Sequence, residues 1–208
     1  MGDSKLKGWI VSLCERKEIR DFIETHHYSK SINGCIADFC FKIEDETGVI
    51  KGAMFYGRMA MANQWKRFSD TPENIIELRR LCCIDDTPKN TESFFIGATL
   101  KILKKEWRRD GVVVSYADKE YGHGGIIYKA SNFFDFGDVK GAKVIIHEGR
   151  RYHDKTIRTK YKGELKPFAR RIKEALNEGS AYYKKTAGKK TFIYHLDKKK
   201  RVNYVGDT

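Results

Sequence analysis

The stretch from Ile75 to Ala117 limits what this chain can fold into more than any other. Ile75 to Ile84 reads as a strand that carries Glu77, Arg79 and Arg80 among apolar neighbours, and Asp85-Asp86-Thr87-Pro88-Lys89-Asn90 breaks it with strong turn chemistry. Thr91 and Glu92 then open a helix that runs through Phe94, Phe95, Ala98, Leu100, Ile102 and Leu103 to Trp107, where Asp110-Gly111 stops it. Val112 to Ala117 is continuously apolar, the pattern of a buried strand.

Other elements extend this frame on both sides. Gly8 to Cys14 predicts a strand, and Lys17 to Thr25, with Ile19, Phe22 and Ile23 at helical spacing, a helix that ends at His26-His27-Tyr28-Ser29. Gly34 to Ile43 and Val49 to Arg58 form an expected hairpin across Glu44-Asp45-Glu46-Thr47-Gly48. Gly124 to Ser131 predicts a second helix after the buried strand; Phe133 to Phe136 and Lys143 to His147 predict strands. A helix is expected around Phe168 to Leu176, and a last pair of strands, Tyr182 to Thr186 and Thr191 to Leu196, across Ala187-Gly188. Lys198-Lys199-Lys200-Arg201 reads as a solvated tail.

With 208 residues, 40% of them apolar and 12% aromatic, the chain fits one globular domain over 1–208, with a basic C-terminal extension from about 150 to 208. No stretch approaches the roughly 20 apolar residues a membrane span needs. Met1 to Trp9 is not followed by a signal-peptide core, so the expected location is the cytoplasm. Cys14, Cys35, Cys40, Cys82 and Cys83 lack CxxC spacing and predict free thiols. Lys and Arg number 41 against 28 acidic residues, a formal +13 that favours a polyanionic partner, although the same excess also keeps small proteins in solution.

The strand and helix order resembles the GNAT N-acetyltransferase fold, which implies an α/β (α+β) architecture with a central mixed, mostly antiparallel splayed sheet flanked by helices. In that fold a helix N-terminus between two parting strands receives the pyrophosphate of acetyl-CoA. The matching strands here are Ile75 to Ile84 and Val112 to Ala117, with Lys89-Asn90-Thr91 at the helix start offering backbone N–H groups and a cation. This turn lacks the glycine-rich loop of the superfamily, and Asn90 or Thr91 also serves as a plain helix cap. Cys82, Lys89, Asn90, Thr91 and Ser93 are the resulting cofactor-binding candidates. The segment Ile127-Tyr128-Lys129-Ala130-Ser131-Asn132-Phe133 is similar to the acetyltransferase helix whose tyrosine protonates a departing thiolate. A core tyrosine with a satisfied hydroxyl is the alternative for Tyr128.

Seven segments in shared order resemble the phage Mom family of DNA adenine modification enzymes. They are His27-Tyr28-Ser29, Glu77-Leu78-Arg79-Arg80-Leu81, Pro88 to Ser93, Ser115-Tyr116-Ala117-Asp118, Gly122 to Phe133, Gly149-Arg150-Arg151-Tyr152-His153 and Tyr194-His195-Leu196-Asp197. The resemblance implies conversion of adenine in double-stranded DNA to its N6-carbamoylmethyl derivative, which shields phage DNA from restriction in the host cytoplasm. It also implies acetyl-CoA or a related two-carbon donor. His27, Tyr28, Ser115, Asp118 and Tyr128 are the catalytic candidates. Adenine N6 is a weak nucleophile, so His27 is expected to take its proton and Asp118 to orient the histidine or bind a metal; Asp118 is otherwise a turn residue closing a strand. His27 and Asp118, with His123, also supply the ligand types of a non-haem iron site. Glu77, Arg79 and Arg80 hold a cofactor or base, or form an ion-paired strand face.

Arg150, Arg151, His153, Arg158 and Lys160, interleaved with Tyr152 and Tyr161, are the DNA-binding candidates, grip on phosphates being combined with stacking on a base. A solvated basic face is the plainer reading. Two other functions fit parts of this pattern. An N-acetyltransferase acting on a protein or small amine needs Tyr128 but no basic segment; a non-catalytic DNA-binding protein needs the basic segment but not His27 or Asp118.

Overall fold

The structure, a computed structural model, describes residues 6–59 and 63–204. The chain divides into two compact units. The first comprises Met1–Ala117, Gly125–Gly137 and Thr191–Thr208; the second comprises Asp118–Gly124 and Asp138–Lys190.

In the first unit, β1 (Ile10–Cys14) leads into α1 (Arg16–His26), and β2 (Phe39–Glu44) pairs antiparallel with β1 on one side and β3 (Ile50–Gly57) on the other. The β2–β3 turn is closed by Asp45, whose Oδ1 accepts from the backbone N–H groups of Thr47 and Val49. β4 (Ile75–Cys83) follows antiparallel to β3, then α2 (Thr91–Glu106) crosses to β5 (Val112–Asp118), which lies parallel to β4. After α3 (Ile126–Ala130) come β6 (Phe134–Val139) and, much later in the chain, β12 (Lys189–His195). The seven-stranded sheet runs β1-β2-β3-β4-β5-β12-β6.

β3 explains why this sheet is covered on both faces. Ala53, Met54, Phe55 and Tyr56 are consecutive and all fully buried. Successive strand residues point to opposite faces. Ala53 and Phe55 pack with Ile19 and Ile23 of α1, whereas Met54 and Tyr56 pack with Phe95, Ile96, Leu100 and Leu103 of α2. Each such large side chain contributes about 1.5–3 kcal/mol by leaving water. Burial of a phenol demands a partner, and Tyr56 Oη finds Thr99 Oγ1 at 2.7 Å.

The second unit has a sheet of its own: β7 (Lys143–His147) pairs antiparallel with β8 (Arg150–His153) and with β11 (Ala181–Lys185). Its core is Ile145, Ile172, Ala175 and Ala181, joining that sheet to α4 (Pro167–Asn177). A four-residue ladder, β9 (Lys160–Tyr161) with β10 (Glu164–Leu165), turns through Lys162 and Gly163, both at positive φ. Two residues with φ above zero make the tight turn that matches strand twist.

Most expected elements are present within a few residues of their predicted limits, with two corrections. Tyr182 to Thr186 and Thr191 to Leu196 do not pair with each other; β11 joins β7 and β12 enters the large sheet between β5 and β6. Gly188 turns the chain between them, at φ +86, where a Cβ would lie 2.4 Å from Val139 O. The Lys198–Arg201 run keeps its three lysines in solvent, as expected, but is not an extended tail. It forms a short 3-10 helix, Lys198–Tyr204, in which the Arg201 side chain donates to His195 O at 2.6 Å and stacks on Tyr194. All five cysteines are free thiols, and no helix among the described residues is long and apolar enough to cross a membrane.

Candidate active site

The pairing of β4 with β5 stops early. The two strands are in register from Ile75 opposite Val112 to Leu78 opposite Ser115, yet β4 continues to Cys83 and β5 to Asp118. A bulge falls at the same place, for Tyr56 faces Leu78 and Phe55 faces Arg80, which leaves Arg79 without an opposite residue on β3. Bulges bend and twist the strand that carries them. Beyond this point β4 keeps β3 on one side and, among the described residues, has no ladder partner on the other. Main-chain groups alternate in direction along a strand, so those of Arg80 and Cys82 face β3, Arg79 O accepts from Arg80 Nη1 at 2.7 Å, and those of Leu81 and Cys83 face the open side, where an extended ligand can add.

α2 begins just past the end of this edge. Asn90 caps it in the left-handed conformation at φ 71 and contributes no side-chain hydrogen bond, so the first-turn N–H groups carry the helix's positive end unshielded by a cap side chain. The side chains of Thr91 and Ser93 hold the turn together: Thr91 Oγ1 donates to Pro88 O at 2.6 Å and Ser93 Oγ to Asn90 O at 3.0 Å. What these residues offer a phosphate is backbone, with the exposed Lys89 beside them. Cys82 packs on the α1 side of the sheet with the Ile19 and Ile23 cluster, and burial pushes its thiol up to about 12. Its side chain is thus an inert packing group, and its main-chain groups face β3 rather than the splay. The fit to an elongated acyl donor with a phosphate head rests on this bare edge and this helix start.

Tyr128 stands on α3, one turn after Gly125. Gly125 is at φ +78, and a Cβ there would lie 2.2 Å from the Phe192 ring, so only glycine lets α3 start against β12. Phe192 and Phe133 then pack on the Tyr128 ring at 5.1 and 5.5 Å between centroids. Burial pushes the phenol up to about 12; the Ser115 hydroxyl draws it back, while Tyr28 and Glu77 nearby raise it further. Tyr116 is likewise pushed up to about 12, by burial first and then by Glu77, with Arg67 opposing. Ser115 is fully buried on β5, at the last paired position before the splay. Ser131 Oγ donates to Ile127 O at 2.8 Å and approaches Ser93 O at 3.4 Å, which ties the end of α3 to the first turn of α2.

His27 caps the C-terminus of α1, is nearly buried, and stacks on Tyr28 at 4.2 Å. The Ser29 backbone N–H donates to His27 Nδ1 at 3.0 Å, with Ser29 Oγ 2.8 Å from the same nitrogen. Two tautomers fit this arrangement: in one the Ser29 N–H donates to a bare Nδ1, and in the other Nδ1–H donates to Ser29 Oγ, whose own proton goes to Ser31 O at 3.1 Å. The first unit therefore gathers His27, Tyr28, Ser115 and Tyr128, together with Glu77, whose carboxylate lies 3.5 Å from Arg79 Nη1.

Asp118 belongs to the second unit and is occupied. Its Oδ1 accepts from Glu120 N at 3.1 Å, capping the turn Lys119–Tyr121, and its Oδ2 lies 3.5 Å from Lys189 Nζ. That is the geometry of the strand-closing turn residue. Among the described residues no three His, Cys, Asp or Glu side chains converge as a metal-ligand set.

The basic candidates also lie in the second unit. Arg151 donates to Glu120 Oε2 at 3.1 Å, Arg158 pairs with Asp154, and His153 Nδ1 accepts from Lys155 N, capping a turn. No carboxylate among the described residues pairs with Arg150 or Lys160, both exposed. Sequence reasoning missed Gln64, which accepts from Tyr116 Oη at 3.2 Å, and Thr191, fully buried on β12. Neither carries a spacing signal, because both are brought in by tertiary packing.

A sheet whose parallel pair parts beside a helix N-terminus, with a buried tyrosine following the second strand, defines the GNAT N-acetyltransferase fold. Solved structures agree. A spermidine/spermine N-acetyltransferase SpeG from Vibrio cholerae superposes with a TM-score of 0.53 at 11% identity, over 97% of this chain and 99% of that one. The spermidine N-acetyltransferase from Vibrio cholerae in complex with CoA and spermine superposes with a TM-score of 0.51 at 11% identity, over 95% and 99%. The chain belongs to the Mom protein family, whose model matches residues 8–206. It is 31% identical to the methylcarbamoylase Mom of Escherichia phage Mu over 142 residues, which make up 66% of this chain and 57% of that protein.

Proposed function

We propose that this chain modifies adenine in DNA, converting it to the N6-carbamoylmethyl derivative with an acyl-CoA as donor of the two-carbon unit, and so protects phage DNA from restriction. The observation that carries this reading is the parting of β4 from β5 beyond Leu78 and Ser115, with Tyr128 beside it, in a chain of the Mom family.

The open-side main-chain groups of Leu81 and Cys83 would hold the donor's arm, and the α2 start, with Lys89 and the Ser93 N–H in the turn shaped by Asn90 and Thr91, its phosphates. The thioester, when bound, would supply the two-carbon unit and release CoA as a thiolate; joining that unit to N6 through its CH2 carbon and ending it as an amide further requires a separate nitrogen donor and a two-electron oxidant. Tyr128 keeps its proton at neutral pH because burial disfavours the phenolate, which suits it to protonate a departing thiolate. Ser115, buried and close enough to lower the phenol's pKa, would orient that hydroxyl. His27, held at Nδ1 by Ser29 and packed by Tyr28, is the group that would take the proton from the adenine amine; Glu77, near both Tyr116 and Tyr128 and 3.5 Å from Arg79 Nη1, is a carboxylate of the same unit. Asp118 serves by closing β5. The exposed cations Arg150 and Lys160 hold DNA phosphates, helped by Arg151, His153 and Arg158.

The test is mass spectrometry of nucleosides from plasmid DNA recovered after the protein is expressed in bacteria, against cells carrying the empty plasmid. A deoxyadenosine heavier by a carbamoylmethyl group is the expected result. Unmodified DNA from cells rich in folded protein would overturn the proposal.

A further inference from the structure

The second unit carries a groove of about 280 Å³, and none of the residues assigned to chemistry lines it. Thr156, Thr159, Lys160, Tyr161, Lys166 and Phe168 line it, and no acidic side chain does. Two aromatic rings on its wall keep much of their surface in solvent, Tyr161 at 63% exposed and Phe168 at 43%.

Local structure holds Tyr161 in that position. The Lys162-Gly163 turn ties β9 to β10, and Tyr161 pairs with Glu164 across it, so the ring stands on a rigid two-residue strand. The ammonium groups of Lys162 and Lys166 lie 5.9 and 5.7 Å from the ring centroid. Phe168 comes from the first turn of α4, directly after Lys166 and Pro167. The groove thus joins flat aromatic surface to ammonium and hydroxyl donors within one unit. That unit has 17 Lys and Arg against eight Asp and Glu, a net +9 of the chain's +13.

We propose that this groove is a stacking site for one unpaired nucleobase of a DNA strand, with Tyr161 and Phe168 receiving the base and Lys160 and Lys166 its adjoining phosphates. The inference rests on the reading that the chain modifies DNA. Chemistry at adenine N6 requires the base to leave the stack, and an opened duplex exposes bases whose faces need cover. A polyanion recognised by charge alone has no use for exposed rings; a nucleotide uses both, since every base has a π-face and every linkage a phosphate. The volume lies near the lower end of the roughly 300–1,000 Å³ that encloses drug-sized ligands, which suits a single base.

The experiment uses the full chain and fluorescence anisotropy with three labelled probes: a single-stranded oligonucleotide, the same length of abasic strand, and a blunt duplex. The wild-type protein is expected to bind the strand with bases more tightly than the abasic strand. Tyr161→Ala should cost about 5- to 100-fold on the base-containing strand and little on the abasic one, in line with stacking free energies of about 1–3 kcal/mol per base. Tyr161→Phe should restore binding. Equal affinity for the two strands, or unchanged binding by Tyr161→Ala, would overturn the groove assignment. So would equal competition by polyglutamate of the same charge. Nucleoside analysis of plasmid DNA separates the two levels. Modified adenine with a Tyr161→Ala protein that still binds normally overturns the groove alone, whereas unmodified DNA from wild-type cells overturns the proposed function while the strand-binding result stands.

Discussion

The two units solve opposite problems with the same kinds of residue. In the first, Tyr56, Tyr116 and Tyr128 are withdrawn from water, and burial raises all three phenols. In the second, Tyr161, Tyr182 and Tyr183 face outward among lysines. Charge divides in the same way: the first unit carries 24 Lys and Arg against 20 Asp and Glu, the second 17 against eight. Acid–base chemistry gains from a low dielectric, where a neighbouring group shifts a proton strongly. Grip on a polyanion gains from exposure, where binding releases condensed counterions. The proposed reaction needs both, and the chain keeps them in separate pieces of structure.

The sharpest way to break this division is Tyr128→Phe, which removes a proton donor and leaves the ring. Modified adenine should fall by about 100-fold or more, as expected for loss of a general acid, while DNA affinity measured by anisotropy stays at the wild-type level. A parallel loss of binding would mean the two tasks are not separable. Next comes the converse, Arg150→Ala combined with Lys160→Ala. Affinity for duplex DNA should fall roughly tenfold, and the slope of log affinity against log salt should flatten by about 0.9 for each phosphate no longer neutralised. Arg151→Ala should do less than Arg150→Ala, because Arg151 is already engaged by Glu120 at 3.1 Å.

Gly125→Ala tests how the fold supports the chemistry. The added Cβ meets Phe192, which packs on Tyr128, so urea unfolding should show a loss of about 1–3 kcal/mol and activity should fall with DNA binding intact. The smallest expected effect is in alkali. Tyr116 and Tyr128 ionise near 12 in the folded chain and near 10 in an unfolded one, and Cys82 near 12 rather than 9. The folded state binds these protons more tightly, so their stabilising contribution is complete below about pH 9 and is lost as pH climbs to about 12. A Tm flat from pH 7 to 9 and falling above it is expected, with Tyr128→Phe giving a shallower fall; an equally steep fall would mean that Tyr128 is not part of it.

Much of this was legible in the residues. The consecutive strand, helix and strand from Ile75 to Asp118 could be read because period and turn chemistry are local properties, and the resemblance named His27, Tyr28, Ser115 and Tyr128 as candidates, all of which lie in the first unit. The reading failed where partners are distant. Thr191 to Leu196 carries strand character but nothing that says it enters the sheet between β5 and β6 rather than pairing with the segment just before it.

The sequence by itself determined where strands and helices form, how many net charges the chain carries, and the family to which it belongs, since all three are written in residue order. Tertiary structure decided which partners each group meets. Only packing could spend Asp118 on Glu120 N and Lys189, engage Nδ1 of His27 with Ser29, and end the β4–β5 ladder at Leu78 and Ser115. The physical reason is that a side chain's chemistry depends on its solvent and its neighbours, and in this chain those neighbours come from residues far away in sequence.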